Sequence, residues 1–479
     1  MRIKIKNLTI PLLIIMKVCV LESIAQTSGS LYLLPENFHT QMLNPVLTQT
    51  GDSVIVIAVP GFGGGMFGNS GSFKFNELIR RQPDGKMALD LEYFYNHGNS
   101  TTELADWSSI PYFFLGLPTK KGRLNFFMKE NLFSSLKMNT RAIDFFNNGN
   151  FEEEYRSYNT EEANISAISY RELTVGYATS ISKKISYGLH GKILFGAILA
   201  EFRNWEYGIE TSENGDAVKL SSSGLGKLSL PFKTDIRNDR LQNIYTENGL
   251  SNYLKNYHNP GLAVDIGIKY KPNEQSLFSI SVSDLGGIWF RHRAFDIKQN
   301  SEYNFKGFDL SNTLDKNVES GNFIDSYDLM FNTKENIRDV FRLETDTASF
   351  YKSLPVKTAF HYQYSLSESI ILGLTNQTVI FRNNVLNNFS FSSKQMTGNF
   401  SFFENININK LNNLSVGGGF QWEGANIQFY FATDNFLAVY HPASQETFTV
   451  SGGLCLILNK KGREKNGDFL PYLPFYEKK

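Results

Sequence analysis

The sequence predicts an all-β chain, a transmembrane antiparallel β-barrel of roughly 14 strands (about 12–16), with short helices confined to its loops. Three features predict it. Apolar side chains recur at every second position. The alternating runs reach the length of about 9–11 residues that a tilted strand needs to cross a bilayer. Short turns alternate with long loops between the runs.

The chain opens MRIKIKNLTIPLLIIMKVCVLESIAQ. Arg2, Lys4 and Lys6 form a positive region, Leu8 to Met16 is mostly apolar, and Ser23-Ile24-Ala25 supplies small residues for cleavage. Residues 1–25 are therefore expected to be an export signal, cut after Ala25. Lys17 interrupts the apolar stretch, which falls short of the roughly 20 residues of a spanning helix. Lys17 and Val18 also stand before Cys19 where a lipid-attachment site needs small residues, so no lipid anchor is expected. Residues 26–50 then form an N-terminal segment, 51–458 the barrel, and 459–479 a tail past the last strand.

The first barrel strand is expected over Ser53 to Val59, within SVIVIAVPGFGGGMFG. Gly63, Gly65 and Gly68 match the spacing of a dinucleotide fingerprint, but that chemistry needs a helix directly after the glycines, and NSGSFKF follows. PGFGGG resembles the oxyanion loop of a lipase, yet no G-x-S-x-G occurs in the chain. The plainer use is structural. Pro60 cannot donate to a ladder, and Gly61, Gly63, Gly64 and Gly65 remove side chains where a strand bends or where the lumen needs clearance. Neither a catalytic residue nor a cofactor is expected.

Between 84 and 160, LDLEYFY (89–95), RLNFFMKE (123–130) and LFSSLKMN (132–139) read as strands and TRAIDFFNN (140–148) as a short helix. The alternation is strongest in LTVGYATSISKKISYGLHGKILFGAIL, from Leu173 to Leu199. Eleven of the 13 odd positions taken on either side of the turn Ser182-Lys183-Lys184 are apolar, against 3 of 11 even ones, so this is a hairpin of two long strands. The pattern returns at Val264–Tyr270 with Phe278–Val282, at Val356–Tyr364 with Ile370–Leu374, at Leu414–Trp422 with Ala425–Phe431, and at Phe448–Leu458.

A soluble sandwich buries the apolar face of such strands, whereas a membrane barrel turns it to lipid. Strand length favours lipid, since the run from Ile185 to Leu199 far exceeds the usual 5–6 residues or so of a soluble strand. The turns at 182–184, 271–276 and 365–369 are short, while the connections at 203–262 and 285–355 are long and rich in Asn, Asp and Lys. Trp205, Trp289 and Trp422 fall near strand ends, where an aromatic girdle belongs. A barrel in lipid must close, because an open edge would strand backbone groups in hydrocarbon at several kcal/mol each.

Composition is consistent with this class. Basic and acidic residues balance at 47 each, and removal of the signal leaves 43 against 46, which gives nucleic acid no attraction. Cys455 is the one cysteine outside the signal, so no disulfide framework is expected. Forty Phe and 23 Tyr with a mean hydropathy of −0.26 fit aromatic-rich strands without a spanning helix. The polar face carries His190, Lys192, Asp265, Lys269, Lys357 and His361, expected to face the lumen, where charges bias which solutes pass. The seven histidines show no close-spaced ligand set, and no metal is expected.

Residues 31–79, 123–150, 259–290 (NPGLAVDIGIKYKPNEQSLFSISVSDLGGIWF) and 431–458 (FATDNFLAVYHPASQETFTVSGGLCLIL) resemble an uncharacterised Bacteroidota outer-membrane β-barrel family, a domain of unknown function. The layout is more distantly similar to fatty-acid-transporter-type barrels and to accessory barrels of the type IX secretion and gliding machinery. The resemblance implies an outer-membrane location and no residue-level activity. In the fatty-acid-transporter group an N-terminal segment plugs the lumen, which residues 26–50 would do here. The expected role is passive passage of a small, hydrophobic molecule. The alternative is a non-transporting scaffold that docks an envelope protein partner of a secretion, gliding or surface complex.

Overall fold

The computed structural model describes residues 29–35, 37–47, 54–59, 65–71, 79–81, 87–89, 101–139, 157–159, 163–212, 217–245, 248–305, 340–381, 384–410, 413–424, 426–441, 444–445 and 447–458. The export signal, the expected helix at 140–148, most of the expected strand at 89–95, Pro60, Gly61, Gly63, Gly64 and the 459–479 tail lie outside them.

Fourteen antiparallel strands close into a barrel. β1 comes in two pieces, Ile55–Ala58 and Gly65–Gly71. β2 (Thr101–Pro118), β3 (Gly122–Asn139), β4 (Ala163–Ser180) and β5 (Ile185–Thr211) follow. Next are β6 (Asn259–Tyr270), β7 (Ser276–Phe290), β8 (Val356–Ser365), β9 (Ile370–Phe381) and β10 (Asn384–Thr397). β11 (Phe400–Lys410), β12 (Asn413–Glu423), β13 (Ile427–Thr433) and β14 (Thr447–Leu458) complete the wall. Each pairs with its neighbour in sequence, and β14 pairs back onto β1 through Ile55 opposite Leu458. The two pieces of β1 lie on one line. Eight positions from Ile57 to Gly65 pass only four of β14, Leu456 to Gly452. The strand therefore breaks after Ala58 and resumes at Gly65, the one member of the glycine set inside the described residues.

The alternation read from the sequence has its physical meaning in which side is covered. Along β6, Asn259, Gly261, Ala263, Asp265, Gly267 and Lys269 are buried while Leu262, Val264, Ile266, Ile268 and Tyr270 are exposed. Leu173, Val175 and Ile193 are likewise turned out, and Ile280 on β7 is 56% exposed. Large aliphatic side chains outside and amides, hydroxyls and charges inside is the inverse of a soluble core. That surface is stable against hydrocarbon, and a closed barrel of this kind is the architecture of the outer membrane. The turns at 119–121, 181–184, 271–275 and 366–369 gather at the end that also holds Ile55 and Leu458, so by the usual habit that end is periplasmic.

Three local expectations change. RLNFFMKE and LFSSLKMN are one strand, since Lys129 and Asn131 continue the inward row of Arg123, Asn125 and Phe127. The connections at 203–262 and 285–355 are partly sheet: β5 runs to Thr211 and pairs with Val218–Ser229, which pairs with Ala294–Phe305. Trp205 joins no girdle, because it is buried against Leu228 and Phe295 in the small core of this extension and donates to Ser222 Oγ at 3.2 Å. Trp289 is exposed and rests against Tyr351.

The described part of the N-terminal segment lies inside the barrel. It folds as a 3-10 turn (Gly29–Leu33), helix α1 (Phe38–Leu43) capped by Asn37, and a second 3-10 turn (Pro45–Leu47). Leu31, Leu34, Asn37, His39, Thr40, Asn44 and Val46 have no exposed surface. Its two ends touch different strands of the wall. A β-carbon on Gly188 of β5 would collide with the Pro45 carbonyl, and one on Gly373 of β9 would come within 2.6 Å of Leu33 Cδ2. Glycine at these positions lets the segment approach the wall backbone.

Candidate functional site

The lumen has two unlike sides. On β3 to β8, inward charges form one network. Lys129 and Glu172 face each other across β3 and β4 at 3.6 Å, and His190 and Asp265 across β5 and β6 at 3.0 Å. Lys192 is the hub, 2.6 Å from Asp284, 2.8 Å from Asp265 and 3.5 Å from Glu172. Lys357 on β8 reaches the second oxygen of Asp284 at 2.9 Å. Three lysines meet three carboxylates, and Thr174 and Asn131 donate to the remaining Glu172 oxygen positions. A buried charge needs this degree of pairing to be tolerated.

Asp284 reaches the network through a bulge. The β6–β7 register shifts between Val264 and Ile266, and Asp284 sits at φ 64. Ser283 and Asp284 therefore both point inward, and the Asp284 amide donates to Asp265 Oδ1 at 2.8 Å.

The opposite side, on β1, β2, β3, β11, β13 and β14, carries an apolar patch. Val56, Ala58, Phe114, Phe127, Phe403, Ala432 and Ile457 face inward and pack around Leu31, Leu34, Phe38 and Met42 of the N-terminal segment. Phe38 stands 5.7 Å from Phe114, and His39 meets the Tyr430 hydroxyl. Burial, with Lys129 nearby, lowers the pKa of His39 to about 3, and burial pushes the Tyr32 phenol up to about 12. Both side chains are thus neutral at ordinary pH. A second apolar group, Tyr170, Leu194, Leu199, Ile288, Phe290 and Leu354, lines the inner wall on the extracellular side of the charge network.

Of the residues singled out in the sequence, the structure joins His190, Lys192, Asp265 and Lys357 in one network. Lys269 is buried lower on β6, between Ser186 and Ser279 in register. His361 lies apart on β8, its Nδ1 hydrogen-bonded with Thr375 Oγ1 at 2.9 Å and its ring 5.7 Å from Tyr32. Lys129, Glu172 and Asp284 were not singled out. The slip in apolar phase from Phe278, Ile280 and Val282 to Leu285 and Trp289 marks the bulge that brings Asp284 inward. Among the described residues, no three His, Cys, Asp or Glu side chains gather as a metal would require.

Comparison with known proteins gives one sequence family and several solved folds. Residues 49–434 match the family of unknown function DUF5723. No curated protein matches the chain in sequence. Among solved structures, the toluene transporter TbuX of Ralstonia pickettii is similar over 87% of this chain and 91% of its own, at 8% identity and TM-score 0.37. A Pseudomonas aeruginosa FadL homologue is similar over 91% and 98%, at 9% identity and TM-score 0.40. The CymD monoaromatic hydrocarbon channel is similar over 91% and 94%, at 9% identity and TM-score 0.37. With its match spanning most of the barrel, the chain belongs to the DUF5723 family.

Proposed function

We propose that the barrel serves passive passage of a small hydrophobic molecule across the outer membrane, with residues 26–50 as a plug. The observation that carries this reading is the apolar inner wall around Phe114, Phe127 and Phe403, covered by apolar side chains of the N-terminal segment. A lumen built only for water and polar solutes has a polar lining. Pockets for small molecules are mainly apolar with a few polar groups that orient the ligand. Apart from its chain link to β1, the described segment meets the wall through packing and hydrogen bonds, so deleting it removes no strand of the barrel. His190, Lys192, Asp265, Lys269, Lys357 and His361 then act as the polar side of the passage, and no catalytic residue is assigned.

The decisive experiment compares the full chain with a chain lacking residues 26–50 in planar bilayers and in liposomes loaded with a dye partitioned from a hydrocarbon phase. Passage is expected to rise on deletion. A deletion chain that stays folded yet carries neither current nor solute would argue against transport. That outcome would favour the second reading, a scaffold barrel that docks an envelope protein, which draws on the burial of nearly all the described residues of the segment.

A further inference from the structure

Outside the barrel, at the extracellular ends of β4 to β7, a short helix lies against the wall. Helix α2 (Gly249–Leu254) is fastened there through side chains of the outward face. The Tyr253 hydroxyl donates to Glu130 at 2.6 Å and meets Ser169 Oγ at 2.6 Å, while Arg171 bridges Glu130 at 3.0 Å and the Leu254 carbonyl at 2.9 Å. Tyr257 stands edge-on to Phe195 at 5.1 Å. The fastening leaves Leu250, 74% exposed, and Leu254 facing outward, with Tyr257 half exposed beside them. These side chains continue the outward apolar stripe of Leu262, Leu285 and Trp289. They lie where the lipid-facing band ends.

Directly beyond that edge the chemistry changes sign. Lys255 and His258 follow the helix, and Arg291, His292 and Arg293 follow the last residue of β7. Asn259 holds the two stretches together, its Oδ1 accepting from the amides of Arg291 at 3.0 Å and His292 at 2.9 Å. The His258 and His292 rings lie 4.2 Å apart. Among the described residues none of the five basic side chains takes part in an ion pair, although paired charges are frequent elsewhere in the molecule. Burial, His258 and Arg293 together hold His292 below its ordinary value.

We infer that this rim is a binding site for an anionic, phosphate-bearing lipid of the outer leaflet: the headgroup meets Lys255, Arg291 and Arg293, and the acyl chains lie on Leu250, Leu254 and Trp289. Aromatic side chains at the interface with basic residues just beyond them match the order of acyl chain, ester and phosphate in a leaflet. Continuity with the lipid-facing band places the occupant in the bilayer and leaves no step at which a soluble partner would have to enter.

The test is native mass spectrometry of the full-length protein in detergent, titrated with phosphatidic acid or with phosphatidylcholine. A saturable phosphatidic acid adduct is expected, with affinity about 30-fold weaker in the Lys255→Gln/Arg291→Gln double variant, from about one kcal/mol per charge near a surface. Phosphatidylcholine binding should not change in that variant. Lys183→Gln, at the opposite rim, should leave both lipids unaffected. Equal binding of the two lipids, an unweakened double variant, or an equal loss in Lys183→Gln would each overturn the proposal. Leu250→Ser keeps the test alive if the double variant fails to fold, since it should weaken both lipids, and unchanged binding would again be fatal.

Discussion

The two sides of the lumen obey the same alternation and hold their inward residues by different physics. From β3 to β8 the inward groups include a set of lysines and carboxylates satisfied by one another, as with Lys192 among Glu172, Asp265 and Asp284. From β11 through β14 to β3 several are apolar and are satisfied by a separate piece of chain, residues 31–42. β3 is the seam, because successive inward positions Phe127 and Lys129 belong one to each side. A wall that completes itself is fixed. A wall completed by a separate segment would be uncovered by removing that segment.

The largest way to break that contrast is Lys192→Met. It removes the shared cation and leaves three carboxylates facing two lysines, so the barrel should lose about 3–5 kcal/mol. Denaturant unfolding in detergent reads the loss, and adding Asp284→Asn should restore part of it. A single variant as stable as the parent would show that the network is hydrated and weak. On the apolar side Phe38→Ala removes a fully buried ring, with a loss of about 3 kcal/mol. Here the loss should appear as exposure of the N-terminal segment to protease, with barrel unfolding unchanged. Parallel loss of barrel stability would mean that the two sides do not differ as described.

Much of this was legible in the sequence because a membrane barrel writes its orientation into every second residue. Asp265 lies between Val264 and Ile266, and His190 between Leu189 and Gly191, so their side of the wall follows from parity alone. Parity also placed Lys192 and Lys357. It could not say that they meet, because that depends on register between strands far apart in sequence, such as β5 with β6 across the whole 212–258 connection. Asp284 was hidden by a change of phase at the bulge. Glu172 sits one residue before the run whose period was read. The apolar side was hard to read for a deeper reason: Phe114 and Phe127 look lipid-facing by chemistry, and only their burial under Phe38 and Met42 shows that they point in. Trp205 misled in the same way, since a strand-end tryptophan can serve a local core as well as a girdle.

A smaller effect comes from pH and acts where the two sides touch. His39 has its folded value lowered to about 3 by burial and by Lys129, against an ordinary value of 6.5. The released segment therefore binds more protons than the docked one between those values. Docking strength is fully present above pH 6.5 and declines as pH falls toward 3, by about 2 kcal/mol between 6.5 and 5. Protease accessibility of the segment should rise over that window in the parent. In His39→Gln it should be flat, and a parent-like rise in that variant would assign the effect to another group.

The smallest effect tests orientation with a single methyl group. Ile457 on β14 faces the apolar side of the lumen and is buried, whereas Ile266 on β6 faces outward and is 43% exposed. Shortening Ile457 to Val opens a gap that only the packed segment could fill, with a cost of about 1 kcal/mol. Shortening Ile266 to Val leaves space that mobile acyl chains enter freely, so almost no cost is expected in a bilayer. The two substitutions delete the same atoms from strands of similar length. Their difference, measured in lipid bicelles by thermal unfolding and segment protection, isolates the neighbour from the residue. Equal costs would mean that the outward face is packed by something more ordered than lipid, and the barrel would then have a protein partner along β6.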